Sequence, residues 1–136
     1  MAIEVYLVFN GNCREAVEFY SNAFDAQMQP IMTYGEANIP GDFSEEDKNL
    51  VMHTYLIISG SRVMFSDSYP GDPVNIGNNI SITILSKNIE EIKTWFNRLK
   101  EGGTVEMDLQ ETFWSKCYGS LIDRFGVCWQ FNYDGE

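Results

Sequence analysis

The stretch IEVYLVFNGNCREAVEFYSNAF, residues 3–24, joins a run rich in β-branched and aromatic residues to a segment with helical periodicity. A second stretch of the same design, ISITILSKNIEEIKTWFNRL, occupies residues 80–99. When Asn12 is aligned with Asn88, the apolar positions of the two helical segments coincide. Each asparagine precedes a glutamate by three residues, which is typical of a capping box at a helix N-terminus. The sequence therefore contains one β-α unit written twice.

Each predicted helix is followed by further runs with strand-like composition, and a glycine (Gly60, Gly126) introduces the last run of each half. These runs cover residues 27–34, 51–59 and 62–66 in the first half and residues 104–111, 116–122 and 127–133 in the second. Each half reads β-α-β-β-β. The pattern predicts one α+β domain with module one at 1–66, a Pro- and Gly-rich linker at 67–79 and module two at 80–136. A polar insertion at 38–49 is found in the first half alone.

One such module has a helix on one face of its sheet and leaves the other face bare. Two modules placed side by side, with their helices outside, are expected to form a cup-shaped sheet. A concave surface of this kind is suited to a small-molecule ligand.

The charge of the chain excludes several classes of function. Its 136 residues carry a formal net charge of −11 and a pI near 4.4. Nucleic acid and anionic membrane surfaces are not expected partners, because both require basic residues. The three cysteines form no CxxC pair, and we find neither a basic leader nor an apolar run of about 20 residues. We therefore expect a reduced, cytoplasmic protein.

Seven stretches stand out along the two modules: FNGNCREAVEFY, MTYGE, MHTYL, MFSDSYPG, GNNISITI, WFNRLKEGGTVEMDLQETFW and DRFGVCWQFN. The paired β-α-β-β-β modules resemble the vicinal-oxygen-chelate superfamily of glyoxalase I, extradiol dioxygenases, and fosfomycin and bleomycin resistance proteins. On these stretches the chain is identified, within that superfamily, as a member of the PhnB-like family, also labelled 3-demethylubiquinone 3-methyltransferase-like. The resemblance implies the glyoxalase/bleomycin resistance/dioxygenase fold. It does not imply one activity, since the superfamily contains isomerases, dioxygenases, transferases and binding proteins. The sequence does not support the methyltransferase label, because it contains no glycine-rich βα turn of the nucleotide-binding type.

The resemblance also implies four cup-facing positions that carry His or Glu in metal-using members. Counting along the strands places them at Val5, Met64, Ser81 and Gln130. None of these side chains is charged, and hard or borderline divalent ions prefer carboxylate, imidazole or thiolate ligands. We therefore expect no cofactor and no metal at the usual site, and leave open a divalent ion at a non-standard site.

Two other residues are candidates for chemistry. His53, the only histidine, could act as a general base or could be a buried neutral imidazole. Glu111 in LQETFW could be a catalytic carboxylate or could accept backbone hydrogen bonds at a strand end. Both interpretations stay open for each residue. For Asp67 and Asp123, which precede turns, structural capping is favoured, and Cys117 and Cys128 are expected in the core.

We predict a protein that binds a small, neutral or cationic organic ligand in the cup, as bleomycin-binding proteins do. The alternative is a lyase- or isomerase-type enzyme using His53 and Glu111. A homodimer is expected by analogy with the superfamily. The predicted ligand-binding residues combine aromatic or apolar side chains with polar ones: Phe9, Asn10, Tyr55, Met64, Ser81, Gln110, Trp114 and Gln130.

Overall fold

The structure is a computed structural model, and it describes residues 2–135. The described residues form two compact units, with the boundary between Asn75 and Ile76. Unit 1 contains β1 (Val5–Phe9), α1 (Cys13–Phe24), β2 (Met32–Thr33), α2 (Glu45–Lys48), β3 (Val51–Ile58) and β4 (Ser61–Asp67). Unit 2 contains β5 (Ser81–Ser86), α3 (Ile89–Leu99), β6 (Thr104–Gln110), β7 (Tyr118–Ile122) and β8 (Cys128–Tyr133). The predicted β-α-β-β-β order is confirmed in both halves, with α2 as an addition within the polar insertion of the first.

Each unit has one four-stranded mixed sheet. Sheet 1 has the order β1-β4-β3-β2 and sheet 2 the order β5-β8-β7-β6. The β1–β4 and β5–β8 pairs are parallel, and the other pairs are antiparallel. In each unit, the first strand therefore lies beside the last strand and runs parallel to it.

One face of each sheet packs against the long helix of its own unit. In unit 1, Phe65 stacks on Phe9 and on Tyr20 of α1, with ring centroids 6.4 and 5.8 Å apart. In unit 2, the Phe96 ring of α3 meets Phe131 of β8 edge-on at 5.7 Å. Because side chains alternate along a strand, the neighbouring residues point to the opposite face of each sheet. We call that opposite face the open face.

The two long helices begin differently, although both were predicted to begin with a capping box. Asn88 caps α3, since its Oδ1 accepts the Glu91 N–H at 3.1 Å. Asn12 forms no such bond, and the Cys13 N–H donates instead to Asp67 Oδ1 at 3.0 Å. Asn12 occupies the N-cap position, but its side chain is not the cap that the sequence predicts; its backbone, with φ −111° and ψ 22°, differs from the extended conformation of Asn88.

Asp67 and Asp123 are structural residues, as their positions before turns predicted. Asp67 is 2% exposed, and its second oxygen accepts the Val51 N–H at 2.9 Å. Asp123 is 3% exposed; one oxygen accepts the N–H groups of Phe125 and Val127, and the other accepts Trp129 Nε1–H at 2.9 Å. Each carboxylate thus ties its turn to the neighbouring strands.

The run at 27–34 was predicted as a full strand, and this prediction is wrong for most of its length. Only Met32 and Thr33 pair with β3. Pro30 lies within the run and has no N–H to donate to a ladder, while its carbonyl accepts the Thr54 hydroxyl at 3.1 Å. At Pro30, the segment is joined to β3 by this side-chain hydrogen bond; backbone pairing with β3 begins at Met32.

Candidate functional site

The open face of sheet 1 carries His53 together with two tyrosines. Tyr6, Met64 and Tyr55 lie in one row across β1, β4 and β3. His53 lies two residues before Tyr55 on the same face, and its Nδ1 is 3.5 Å from the Tyr6 hydroxyl oxygen. The two rings are 5.9 Å apart. The predicted residues His53, Tyr55 and Met64 are therefore brought together, with Tyr6 added to them.

An ion pair borders this row. The Arg62 guanidinium donates from Nε and Nη2 to the two carboxylate oxygens of Glu4, and it lies 5.9 Å above the ring of Tyr55. The hydrogen bond from Arg62 holds the pKa of Glu4 below its ordinary value, and the bond to Glu4 raises the pKa of Arg62. The positive charge on this face is thus already paired.

The position counted as Val5 does not belong to the open face. Val5 pairs with Val63, which is 3% exposed on the helix side of the sheet, and Met64 pairs with Tyr6. In unit 2 the corresponding partner of Gln130 is Thr83. The starts of α1 and α3 lie 76 positions apart, whereas the equivalent strand positions Tyr6 and Thr83 lie 77 apart. The difference arises because the loop between β1 and α1 has one more residue than the loop between β5 and α3. Counting back from the helix therefore misplaces the first position by one.

A pocket of about 360 Å³ opens on sheet 2 and contains two of the predicted ligand-binding residues, Ser81 and Gln130. The Tyr118 hydroxyl oxygen is 2.6 Å from Gln130 Oε1, and Gln130 Nε2 is 2.6 Å from Ser81 Oγ. Ser120 lies between Tyr118 and the end of β7 and also lines the pocket. These side chains form an uncharged, hydrogen-bonded floor that crosses three strands.

Glu106 is the charged residue in the lining of this pocket. Val105 pairs with Leu121 and Met107 with Ser120, so Glu106 is the additional residue of a β-bulge. A bulge redirects a side chain away from regular alternation, and bulges often occur beside functional sites. Cys128 lies in the same lining; burial first, and then the charges of Glu106 and Asp123, raise the pKa of its thiol.

Exposed aromatic side chains continue from the pocket into the loop after β6. The Trp114 ring meets Tyr118 at 5.3 Å and Phe113 at 4.7 Å, both in edge-to-face geometry. Phe113 is 97% exposed and Trp114 is 51% exposed. We call Phe113, Trp114 and Tyr118 the aromatic ladder. Tyr118 belongs both to the ladder and to the pocket.

Other predicted site residues lie outside these surfaces. Phe9 is 2% exposed and packs toward α1, so its assignment to the pocket lining is wrong. The side-chain amide of Asn10 bonds twice to the backbone of Val74: its Oδ1 accepts the Val74 N–H at 2.7 Å, and its Nδ2 donates to the Val74 carbonyl at 2.9 Å. Asn10 borders a separate pocket of about 290 Å³ in unit 1. Gln110 is exposed and donates to the Asp108 carbonyl. Glu111 is exposed just beyond β6.

In each unit, the side chains that register places at the counted metal positions do not fit a divalent metal. Register places Tyr6 with Met64 in unit 1 and Thr83 with Gln130 in unit 2, and these side chains offer no carboxylate, imidazole or thiolate. Within residues 2–135, no group of three or more His, Cys, Asp or Glu side chains is arranged to hold an ion. The donor set therefore disagrees with the metal site of the superfamily.

Sequence reasoning did not find Tyr6, Glu106, Tyr118 and Ser120 as site residues. The alternation of exposure along β1 is hidden because all five of its residues are apolar or aromatic. The face on which Glu106 lies is set by the pairing of β6 with β7, and the polar and apolar residues of β6 do not show which face is the open one.

Comparison with known proteins identifies the relatives of this fold. The family profile described as 3-demethylubiquinone-9 3-methyltransferase matches residues 1–132. The chain belongs to this PhnB-like family. It is also 32% identical to protein YjdN of Escherichia coli strain K12, over 97% of this chain and 95% of YjdN.

Solved structures of several proteins align with almost the whole chain. Protein PA1353 of Pseudomonas aeruginosa is 34% identical with a TM-score of 0.87, covering 100% of this chain and 99% of that one. A Bacillus cereus PhnB protein, titled as a 3-demethylubiquinone-9 3-methyltransferase, is 30% identical with a TM-score of 0.77, over 98% and 99% of the two chains. The fosfomycin resistance protein FosX of Listeria monocytogenes shares the fold at 12% identity and a TM-score of 0.64, over 98% and 92%. The predicted glyoxalase/bleomycin resistance fold is thereby confirmed.

No helix among residues 2–135 combines the length and the apolar character that crossing a membrane requires.

Proposed function

We propose that this PhnB-like protein binds a small organic ligand, neutral or cationic, without the four-ligand metal site of its superfamily. The observation that carries the proposal is the pocket on the open face of sheet 2, with its floor of Tyr118, Gln130 and Ser81. Its volume of about 360 Å³ lies in the range of small-molecule sites. Such sites typically orient a ligand with a few convergent polar groups, and this floor provides three.

The absence of charge on the floor supports recognition by hydrogen bonds. A hydroxyl or an amide can both donate and accept, so the floor suits a ligand with neutral polar groups. Because Gln130 bonds to both neighbours, its amide fixes the positions of Tyr118 and Ser81 before a ligand arrives. A preorganised site loses less conformational entropy on binding.

The test is a ligand screen on the purified protein by thermal shift, with hits measured by calorimetry. Gln130→Met removes the amide and keeps the side-chain length, so a ligand held by this floor should bind about ten-fold more weakly. Gln27→Met, at an exposed position in unit 1, is the matched control and should bind as the parent does. Ligands whose affinity is the same in both variants would contradict the proposal.

The alternative, a lyase- or isomerase-type enzyme using His53 and Glu111, is favoured by one observation. His53 lies on an open face with a tyrosine hydroxyl 3.5 Å from its Nδ1, an arrangement that allows proton transfer. Turnover of a ligand found in the screen, lost in both His53→Gln and Glu111→Gln, would support the enzyme. Stoichiometric binding that both variants retain, with no product formed, would contradict it.

We also propose that the protein acts in the cytoplasm. Cys13, Cys117 and Cys128 are free and buried, and burial raises the pKa of each thiol. Three free cysteines fit a reducing compartment. Fractionation of cells that express the full chain with a fluorescent tag tests this assignment, and recovery outside the cytoplasm would overturn it.

A further inference from the structure

We infer that the ligand of the sheet 2 pocket is an organic cation, with its ammonium group beside Glu106 and its apolar part against the aromatic ladder. This inference rests on the proposed function, because it names the class of ligand for the same pocket. Three independent features of the pocket support it: the sign of its charge, its aromatic border, and an unpaired acceptor beside it.

The pocket lining is acidic. Glu106 is present, and no lysine or arginine lies among the described lining residues. Val105 lies opposite the buried Leu121 and Met107 lies opposite Ser120, so Glu106, between them, lies on the open face with Ser120. The Glu106 side chain is exposed, and its negative charge attracts a cation that enters the pocket and repels an anion. The net charge of −11 acts in the same direction at longer range.

The aromatic ladder provides the second recognition element. A cation near the face of a tryptophan or tyrosine ring is attracted by the ring quadrupole, and tryptophan gives the strongest attraction. Trp114 and Phe113 are exposed, whereas the other tryptophans, Trp95 and Trp129, are 8% and 1% exposed. A ligand with an ammonium group on a small apolar body would cover this exposed aromatic surface with its apolar part. Its ammonium group would lie beside Glu106, because Tyr118 belongs both to the ladder and to the pocket that Glu106 lines.

An acceptor without a partner lies next to the ladder. Asn132 is the cross-strand partner of Tyr118, and its Oδ1 is buried with no hydrogen-bond partner among residues 2–135. Buried polar atoms are nearly always paired, so this oxygen, opposite the pocket residue Tyr118, is available to accept a hydrogen bond from a ligand at the ladder. Ammonium groups are donors without acceptors, which matches the combination of Asn132 Oδ1 and the Glu106 carboxylate.

The experiment compares two pairs of probes that differ in charge. Cyclohexylmethylamine is compared with cyclohexylmethanol, and benzylamine is compared with benzyl alcohol, so that each pair replaces a charged primary ammonium group by a neutral hydroxyl. Binding to the full-length protein is followed by tryptophan fluorescence, to which the exposed Trp114 should respond, and by calorimetry. We expect each cation to bind at least about ten-fold more tightly than its neutral partner.

Three variants locate the interaction. Glu106→Gln should reduce the preference for the cation by about ten-fold and leave the affinity for the alcohols unchanged. Trp114→Leu should weaken both cations. Glu101→Gln is the control, because it removes an equal charge from an exposed position of the same unit. If Glu101→Gln and Glu106→Gln have equal effects, only the overall acidity of the chain acts, and the inference is overturned.

The outcomes separate this inference from the proposed function. If alcohols and amines bind equally and Gln130→Met weakens both, the pocket binds ligands but does not select cations, and the inference alone fails. If none of the four probes binds, the inference fails, and the wider ligand screen decides the proposed function. If Trp114→Leu converts a dimer into a monomer, the ladder belongs to a subunit interface and the inference is overturned.

Discussion

The carboxylate of Asp67 accepts the backbone N–H of Cys13, the first residue of α1, at 3.0 Å, whereas the Asn12 side chain forms no capping bond. The other oxygen of Asp67 accepts the N–H of Val51, the first residue of β3. One buried side chain at the end of β4 therefore ties the start of the helix to the start of a neighbouring strand.

Removing the Asp67 carboxylate should destabilise the protein strongly. Asp67→Ala leaves two buried N–H groups unpaired, and we expect a loss of about 3 kcal/mol in the free energy of unfolding. Asp42→Ala, at an exposed position of the same unit, should change it by less than about 0.5 kcal/mol. Urea denaturation measures both, and equal values for the two variants would contradict the capping role.

Replacing the Asp123 carboxylate by an amide should also destabilise the protein. An asparagine has one acceptor, whereas Asp123 accepts N–H groups on both oxygens. In Asp123→Asn, one N–H must face the amide nitrogen, at a cost of about 2 kcal/mol. Urea unfolding monitored by far-UV circular dichroism tests this, with the exposed Asp134→Asn as the control. A midpoint unchanged from the parent would show that the Trp129 indole finds another acceptor.

Stability should decrease at alkaline pH through Cys13. Burial, followed by the nearby Asp67 carboxylate, raises the pKa of this thiol above its ordinary value of 9.0. Above pH 9 the unfolded chain loses this proton while the folded chain keeps it, so the free energy of unfolding falls as pH rises. We expect Cys13→Ala to show a shallower decline between pH 8.5 and about 10.5 in urea denaturation. Parallel pH profiles for parent and variant would exclude Cys13 as the cause.

The purified protein should contain little divalent metal. The open-face residues offer a poor donor set, so elemental analysis after dialysis without chelator should find less than about a tenth of an equivalent. Near one equivalent, lost on His53→Ala, would instead identify a relocated site that uses the histidine. A Gln27→Met sample controls for adventitious metal from purification.

The protein should be a homodimer in solution. Two apolar side chains on or beside the edge strand β5 are exposed, Ile80 at 80% and Leu85 at 54%, and exposed apolar groups on an edge strand favour association. Light scattering should give twice the chain mass of 15.6 kDa, and Leu85→Lys should shift it toward one chain mass. Asn97→Lys, on the exposed side of α3, should keep the mass of the parent. Parent protein with the mass of one chain would make the prediction wrong.

Much of the architecture could be predicted because it is written in short-range patterns. The helical spacing of Ala16, Tyr20 and Ala23, repeated at Ile92, Phe96 and Leu99, identifies two equivalent helices, and all six side chains are buried. LQETFW and DRFGVCWQFN are likewise among the stretches that indicate the family, and the family profile matches residues 1–132. In the candidate site, Gln130 was placed by counting from Gly126, just before β8, and Ser81 by matching the strand starts; both line the sheet 2 pocket, although register pairs Gln130 with Thr83.

Side-chain orientation, by contrast, was decided by tertiary structure. In VYLVF every residue is apolar or aromatic, so the sequence cannot show that Phe9 points to the core while Tyr6 points to the open face. Gly11, with φ at +93°, lies in the longer loop that shifts β1 by one residue against its helix. The irregular register of β6, where Val105 and Met107 pair with the adjacent residues Leu121 and Ser120, exists only when β6 pairs with β7. The long helices, most of the strands, their order and the family could be predicted from the sequence. Register and bulges depend on hydrogen bonds between distant segments, and only the folded chain forms them.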